Sequence, residues 1–303
     1  MTISKLDQMY EVLKAKDKKR LVAAFANDSH TISAVSDAID KGIIEGTLVG
    51  EESVIQQSCI DQGIDINKFK IVHETDELEA TNKAVSLINE GNGDVLMKGL
   101  VSSDKYLRAI LNKEHGLTDQ GSVLSHVTVL ESPYYHKLLI VGDVAINPLP
   151  DLKDKIAIAK HLIHTAHSLD IDMPRMAVLA ASELVLPIMP ASTDAAIIAK
   201  MGERGQIKGA LIEGPLALDV AIDKESAEIK NLKGEVAGQA DCILFPNIES
   251  GNVFYKTNTK MAGSKLAAIV AGARVPCVLS SRGDSIEIKL YSIALGALMA
   301  GKF

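Results

Sequence analysis

The residues best equipped for chemistry stand together late in the chain. Val275-Pro276-Cys277-Val278-Leu279 is an apolar run. Ser280-Ser281-Arg282-Gly283-Asp284-Ser285 follows it, and an apolar-periodic stretch over 285–299 comes next. The pattern predicts a strand, a turn and a helix. At such a turn the first helical N–H groups have no intrahelical acceptor and attract anions. Arg282 adds a planar guanidinium fork that suits phosphate. A lone arginine at a helix start opposes the helix dipole unless an anion sits there. A phosphorylated ligand is the expected occupant, with the Ser281 hydroxyl beside it.

In open parallel sheets, ligands bind beyond the C-terminal ends of the strands. The residues that follow each apolar run are therefore the next candidates. Lys98, Ser102 and Ser103 follow the run 94–97, and Asp143 and Asn147 follow 137–142. Thr193 and Asp194 open a helix after the run 176–181. Glu213 and Asp219 follow 208–212, and Asn247, Ser250 and Asn252 follow 241–245. Thr193, Asp194, Ser250 and Asn252 read first as helix caps. Lys98 is harder to explain structurally, because a cation after a buried-looking strand needs a partner. It is expected to face an anion.

These residues need a scaffold, and the rhythm of the chain supplies one. Strands are predicted over 21–26, 46–50, 69–73 and 94–97, with helices over 31–42, 51–62 and 76–89. Alternation of this kind builds a parallel sheet covered on both faces. The runs 125–130 and 137–144 break the rhythm, and their short connection predicts an antiparallel pair. A helix follows Pro150 to about residue 169. Strands near 176–181, 208–213, 241–245 and 275–280 then alternate with helices near 193–203, 217–230, 251–262 and 285–299. The expected fold class is α/β: two α/β lobes with mostly parallel sheets and a cleft between them.

Composition excludes several classes of function. The 303 residues are 47% hydrophobic and 23% charged, as in a globular protein. Net charge is −7 with no basic cluster, aromatics are 4% and there is no tryptophan, so nucleic acid is not an expected partner. No run approaches the ~18 apolar residues of a membrane span. The segment Met1–Asp7 lacks the apolar core of a signal peptide, so a cytoplasmic location is expected. Cys59, Cys242 and Cys277 lie far apart in apolar surroundings and read as buried thiols. His161, His164 and His167 share one helix without an HExxH pattern, so no metal site is expected there. No P-loop, no GxGxxG after the first strand and no nucleophile elbow occurs.

The ordered set of motifs resembles a known family. Gly142-Asp143-Val144-Ala145-Ile146-Asn147-Pro148, Glu213-Gly214-Pro215-Leu216-Ala217-Leu218-Asp219, Pro246-Asn247-Ile248-Glu249-Ser250-Gly251-Asn252 and Leu279-Ser280-Ser281-Arg282 are similar to segments of the phosphate acetyltransferase/phosphate butyryltransferase family. Met97-Lys98-Gly99-Leu100-Val101-Ser102-Ser103, Met189-Pro190-Ala191 and Lys289-Leu290-Tyr291-Ser292 look more like the butyryltransferase branch. The resemblance implies acyl-CoA + phosphate ⇌ acyl phosphate + CoA, with coenzyme A as substrate and no permanently bound cofactor. It implies a homodimer and an isocitrate/isopropylmalate dehydrogenase-like architecture. The first lobe would be 1–147 plus 272–303, and the inserted second lobe 148–271.

Resemblance assigns Ser281 and Arg282 to the active site. The acetyltransferase branch carries an aspartate seven positions after that serine, where this chain has Ile288. The remaining candidates for proton acceptor are Asp284 and Glu287. A CoA- or acyl-phosphate-binding protein without turnover is one alternative. A metal-dependent dehydrogenase of the same fold is another, and would need Asp143, Asp194 and Asp219 to cluster.

Overall fold

The computed structural model describes residues 2–280 and 283–301. The first part of the chain forms α1 (Gln8–Lys14), β1 (Lys19–Ala24), α2 (Ser29–Asp40), β2 (Ile44–Gly50), α3 (Glu52–Gln62), β3 (Phe69–His73), α4 (Glu77–Asn89), β4 (Val95–Lys98) and α5 (Ser103–Ile110). The middle forms β5 (Ser125–Glu131), β6 (Leu139–Gly142), α6 (Leu152–Ser168), β7 (Arg175–Leu179), α7 (Pro190–Glu203), β8 (Leu211–Leu216), α8 (Leu218–Ile222), α9 (Lys224–Ile229), β9 (Cys242–Leu244) and α10 (Ile248–Lys260). The last part forms β10 (Lys265–Ala271), β11 (Cys277–Val278) and α11 (Ile286–Met299).

Two compact units result, Asp7–Ser122 with Ala267–Phe303 and Met1–Leu6 with Val123–Leu266. The lobes expected from the sequence assign the β5–β6 pair to the other unit. Here the pair is antiparallel, with Thr128 opposite Val141, and β6 runs parallel to β9, with Ile140 opposite Cys242. Hydrogen bonding therefore carries residues 125–142 into the second unit.

In the Asp7–Ser122 unit the strand order is β3-β2-β1-β4-β11-β10, parallel throughout except for β10 against β11. In the other unit β6, β9, β7 and β8 are parallel neighbours in that order. Pro215 sits on β8, an edge strand, where a missing N–H is tolerated. Strands buried on both faces read as continuous apolar runs, as Leu21–Ala24 does with no exposure. The helix α11 is buried from Lys289 through Met299, so it is a core helix rather than an amphipathic cover. Its Gly296 lets β4 and β11 approach: a Cβ there would lie 3.1 Å from Val95 and 3.3 Å from Val278.

Caps set where the helices begin. Asp28, Asp76, Ser102 and Asn247 each accept a backbone N–H of the helix that follows, and Asp151 forms a reciprocal capping box with Asp154. The helix predicted over 217–230 is two pieces. Asp223 closes α8 and its side chain caps α9 through Ser226 N, which breaks the run. Periodicity does not predict the helices α1 and α5 or the strand β10. No helix among the described residues is long and apolar enough to cross a membrane.

Candidate active site

Three parallel neighbours, β1, β4 and β11, end side by side in the Asp7–Ser122 unit. The chain leaves β1 through Phe25, whose φ of 51° is left-handed, and turns away from the sheet. Gly99 N donates to Ala24 O at 2.9 Å and Leu100 N to Phe25 O at 2.8 Å, so the loops after β4 and β1 are tied together. That approach needs glycine at 99. A Cβ would stand 2.8 Å from Ala24 O and closer still to Phe25 O. Behind β4 and β11, the fully buried Tyr106 of α5 reaches the carbonyls of Leu96 and Val278 at 3.2 and 3.3 Å.

A cavity of about 210 Å³ opens at this end, lined by Asp28, Ser29, His30, Gly99, Leu100 and Lys289. It is smaller than the roughly 300–1,000 Å³ of pockets for drug-sized ligands, and suits a small group. Ser29 and His30 start α2, and N–H groups of a first turn lack intrahelical acceptors. Lys289 is 3% exposed and donates to Ser280 Oγ at 3.0 Å. Burial holds its ammonium below the usual lysine range, against the pull of Asp28 and Asp284.

The candidate residues from the sequence divide between this cavity and other positions. Ser281 and Arg282 lie outside the described residues, between Ser280 and Gly283. Asp284 is half-buried and close enough to bear on Lys289. Lys98, 3% exposed, donates to the carbonyls of Gly99 and Val101 at 3.2 and 2.8 Å, holding the loop after β4. Ser102 caps α5 and its N–H donates to Glu77 Oε1 at 2.7 Å; Ser103 is exposed at the helix start.

In the Val123–Leu266 unit, Asp143 and Asn147 follow β6, and Asn247 and Asn252 follow the adjacent parallel β9. Asn252 Nδ2 donates to Val144 O at 3.0 Å, so these two loops meet. The Asp143 carboxylate accepts from the N–H groups of Ala145, Ile146 and Asn147 and from Asn147 Nδ2 at 2.6 Å. Thr193 lies in the first turn of α7 and bonds Pro190 O at 3.0 Å. Glu213 lies within β8, not after it as the sequence suggested, and accepts from Val236 N at 3.3 Å. Asp219 pairs with Lys230 at 3.1 Å, and Asp194 with Lys155 at 2.6 Å. Asp143, Asp194 and Asp219 thus have three separate sets of partners. Among the described residues no group of three or more His, Cys, Asp or Glu could hold a metal ion.

All three cysteines are buried, and burial pushes the Cys277 thiol up to about 12. None has the exposed, low-pKa surroundings of a nucleophilic thiol. His161 Nδ1 lies 2.7 Å from Ser125 Oγ, and His167 Nε2 2.8 Å from Gly209 O.

Comparison with known proteins gives this architecture its family. The profile of the phosphate acetyl/butaryl transferase family matches residues 4–81 and 76–297. A phosphate butyryltransferase of Clostridium acetobutylicum is 44% identical over 299 residues, covering 99% of each chain. The chain belongs to this family. A phosphate acetyltransferase of Thermotoga maritima is 37% identical, covering 97% of this chain and 99% of its own. The crystal structure of a branched-chain phosphotransacylase from Enterococcus faecalis superposes with a TM-score of 0.81 at 28% identity, covering 93% of this chain and 98% of that one.

For a phosphate acyltransferase, the acids near Ile288 are of particular interest. Glu287 is exposed, and its Oε1 lies 3.3 Å from the Tyr291 hydroxyl, which also bonds Asp7 Oδ1 at 2.7 Å. Asp284 instead shares the surroundings of Lys289. Sequence reasoning passed over Asp28 and Lys289. Asp28 follows β1 and caps α2. Lys289 has a readable signal: it is a lysine inside Ile288-Lys289-Leu290-Tyr291, where the buried part of the helix begins.

Proposed function

We propose that this chain transfers a short-chain acyl group, with butyryl the first choice, between coenzyme A and inorganic phosphate. The observation that carries the reading is the cavity at the ends of β1, β4 and β11, with a buried lysine bonded to Ser280, the residue before Ser281 in the sequence. A phosphate oxygen attacks the thioester carbonyl, the C–S bond breaks from the tetrahedral intermediate, and one proton passes from phosphate to the leaving thiolate. Atoms and charge balance without a redox partner or a resident cofactor.

In this reading Arg282 binds the phosphate, and Ser281 hydrogen-bonds the thioester sulfur or carbonyl. Oriented donors of this kind stabilise a developing oxyanion. Lys98 lends its charge to the phosphate end while it holds the Gly99–Val101 loop, and Ser102 and Ser103 complete that end. Asp143, Asn147, Thr193, Glu213, Asp219, Asn247 and Asn252, all in the Val123–Leu266 unit, are assigned to substrate binding. Asp284 is preferred to Glu287 as proton acceptor, because it bears on Lys289 at the cavity, whereas Glu287 faces Tyr291. Both substrates react in one ternary complex, where proximity supplies up to ~7–11 kcal/mol. The buried, high-pKa cysteines support direct transfer over an acyl-thiol enzyme.

The working assembly is a homodimer. Leu184, Val185 and Ile188, 66%, 58% and 93% exposed before α7, are apolar surface of the kind that subunits cover. Light scattering tests that point. The reaction is tested by mixing butyryl-CoA with phosphate and following free thiol without added metal. Phosphate-dependent release that drops at least ~100-fold in Arg282→Ala supports the assignment. Unchanged release in that variant, or an acyl group trapped on Ser281, overturns it.

A further inference from the structure

Lys289 is costly where it stands. It is a 3%-exposed ammonium in the first turn of α11. A cation there opposes the helix dipole, and burial strips its hydration. Its hydrogen-bond acceptor, Ser280 Oγ, is neutral. The same cavity is lined by Asp28, whose carboxylate is split in use. Oδ1 accepts Thr31 N at 2.9 Å and caps α2. Oδ2 is buried and, among the described residues, meets no hydrogen-bond donor. A buried acceptor of this kind calls for an explanation. The N–H groups at the start of α2 and the Lys289 charge both favour an anion. An acidic oxygen that lacks a donor favours a hydroxyl. One ligand class offers both: a tetrahedral oxyanion that still carries a proton.

We propose that Lys289 and Asp28 form a subsite for monoprotonated phosphate, the ammonium facing its charge and Asp28 Oδ2 accepting a hydrogen bond from its P–OH. The inference rests on the acyl-transfer reading and adds a specificity rule to it. Inorganic phosphate keeps a proton at neutral pH, whereas sulfate keeps none. Sulfate would turn a lone pair toward Asp28, leaving two acceptors facing each other without a proton. Sites built to bond a ligand hydroxyl reject analogues that lack it by large factors. Arsenate, which keeps its proton, should pass. The simpler account makes Asp28 a helix cap and Lys289 its counter-ion, with no ligand.

Asp28→Asn separates the two accounts, because asparagine caps as well as aspartate and changes one acceptor into a donor. Initial rates of thiol release from butyryl-CoA are measured against phosphate, with sulfate as competitor. In the native enzyme the sulfate inhibition constant should exceed the KM for phosphate by about 100-fold or more. In Asp28→Asn the KM for phosphate should rise about tenfold and the sulfate constant fall about tenfold, with the KM for butyryl-CoA and the melting temperature held. Lys289→Met should weaken both anions, and Lys289→Arg should restore part of the loss. An unchanged phosphate-to-sulfate ratio in Asp28→Asn overturns the subsite. Should that variant fail to fold, native enzyme that binds sulfate as tightly as phosphate overturns it equally. If the native chain releases no thiol, the acyl-transfer reading has failed. Calorimetric titration of phosphate, arsenate and sulfate then decides the subsite by itself.

Discussion

Lys289 Nζ donates to Ser280 Oγ at 3.0 Å, and both residues are 3% exposed. The bond joins the first turn of α11 to the turn after β11, one residue before Ser281. Ser280→Ala removes the acceptor and leaves a buried ammonium behind, which should cost about 1–3 kcal/mol. Lys289→Met removes the charge as well and should cost less, as apolar replacements of buried ions often do. The double variant should be no less stable than Lys289→Met alone. Urea unfolding of the four proteins measures the coupling, and simple additivity of the two losses would show that the bond contributes nothing.

Asp284 and Glu287 make opposite predictions for proton transfer. Asp284 sits by Lys289, whereas Glu287 faces Tyr291 and the Asp7 side of α11. Asp284→Asn should lower kcat by about 10²–10⁴, the usual contribution of a positioned acid or base. Glu287→Gln should stay within a few-fold of native. Steady-state thiol release on both variants decides the assignment, and the reverse ranking would make Glu287 the acceptor.

Much of this architecture is legible in residue order, and the misses have physical causes. Phe69–His73 and the β5–β6 pair announce themselves as apolar runs of strand length with turn residues between them. The strand β10 was missed although Leu266-Ala267-Ala268-Ile269-Val270 is apolar, because it pairs antiparallel with the short β11 and so breaks the βα rhythm. The loops after β4 and β11 could be read because lysine, serine and arginine there stand out against apolar strands. Asp28 could not, because a cap and a ligand-facing carboxylate look the same until burial divides its two oxygens. Glu213 was read as following its strand because the apolar run stops at 212, whereas β8 continues to Leu216 through Gly214 and Pro215, residue types that strand interiors disfavour.

Gly99 holds the loops after β1 and β4 together. A methyl group at this position would meet two backbone oxygens, Ala24 O at 2.8 Å and Phe25 O closer still, and neither can rotate away. Gly99→Ala should therefore force the loops apart and cost about 1–3 kcal/mol, as overpacking does elsewhere. Gly99 also lines the cavity with Asp28 and Lys289, so the KM for phosphate should rise as well. A melting curve and a phosphate titration check both. Native values for both would mean that the two loops move freely with respect to each other.

His161 should make the protein sensitive to acid. Burial, with His164 and Lys160 nearby, pushes its imidazole down to about 4, against the opposing pull of Asp143. Its Nδ1 is 2.7 Å from Ser125 Oγ. A free imidazole titrates near 6.5, so between about 6.5 and 4 the unfolded chain binds a proton that the folded chain refuses. Stability from this group is complete above about pH 6.5 and is lost as pH falls toward 4. The loss is about 3 kcal/mol over that window. His161→Gln keeps a polar partner for Ser125 without the titration. Urea unfolding at pH 7, 5.5 and 4 should show the native protein losing about 3 kcal/mol more than the variant. Parallel losses in the two proteins would mean that the imidazole titrates as it does in water.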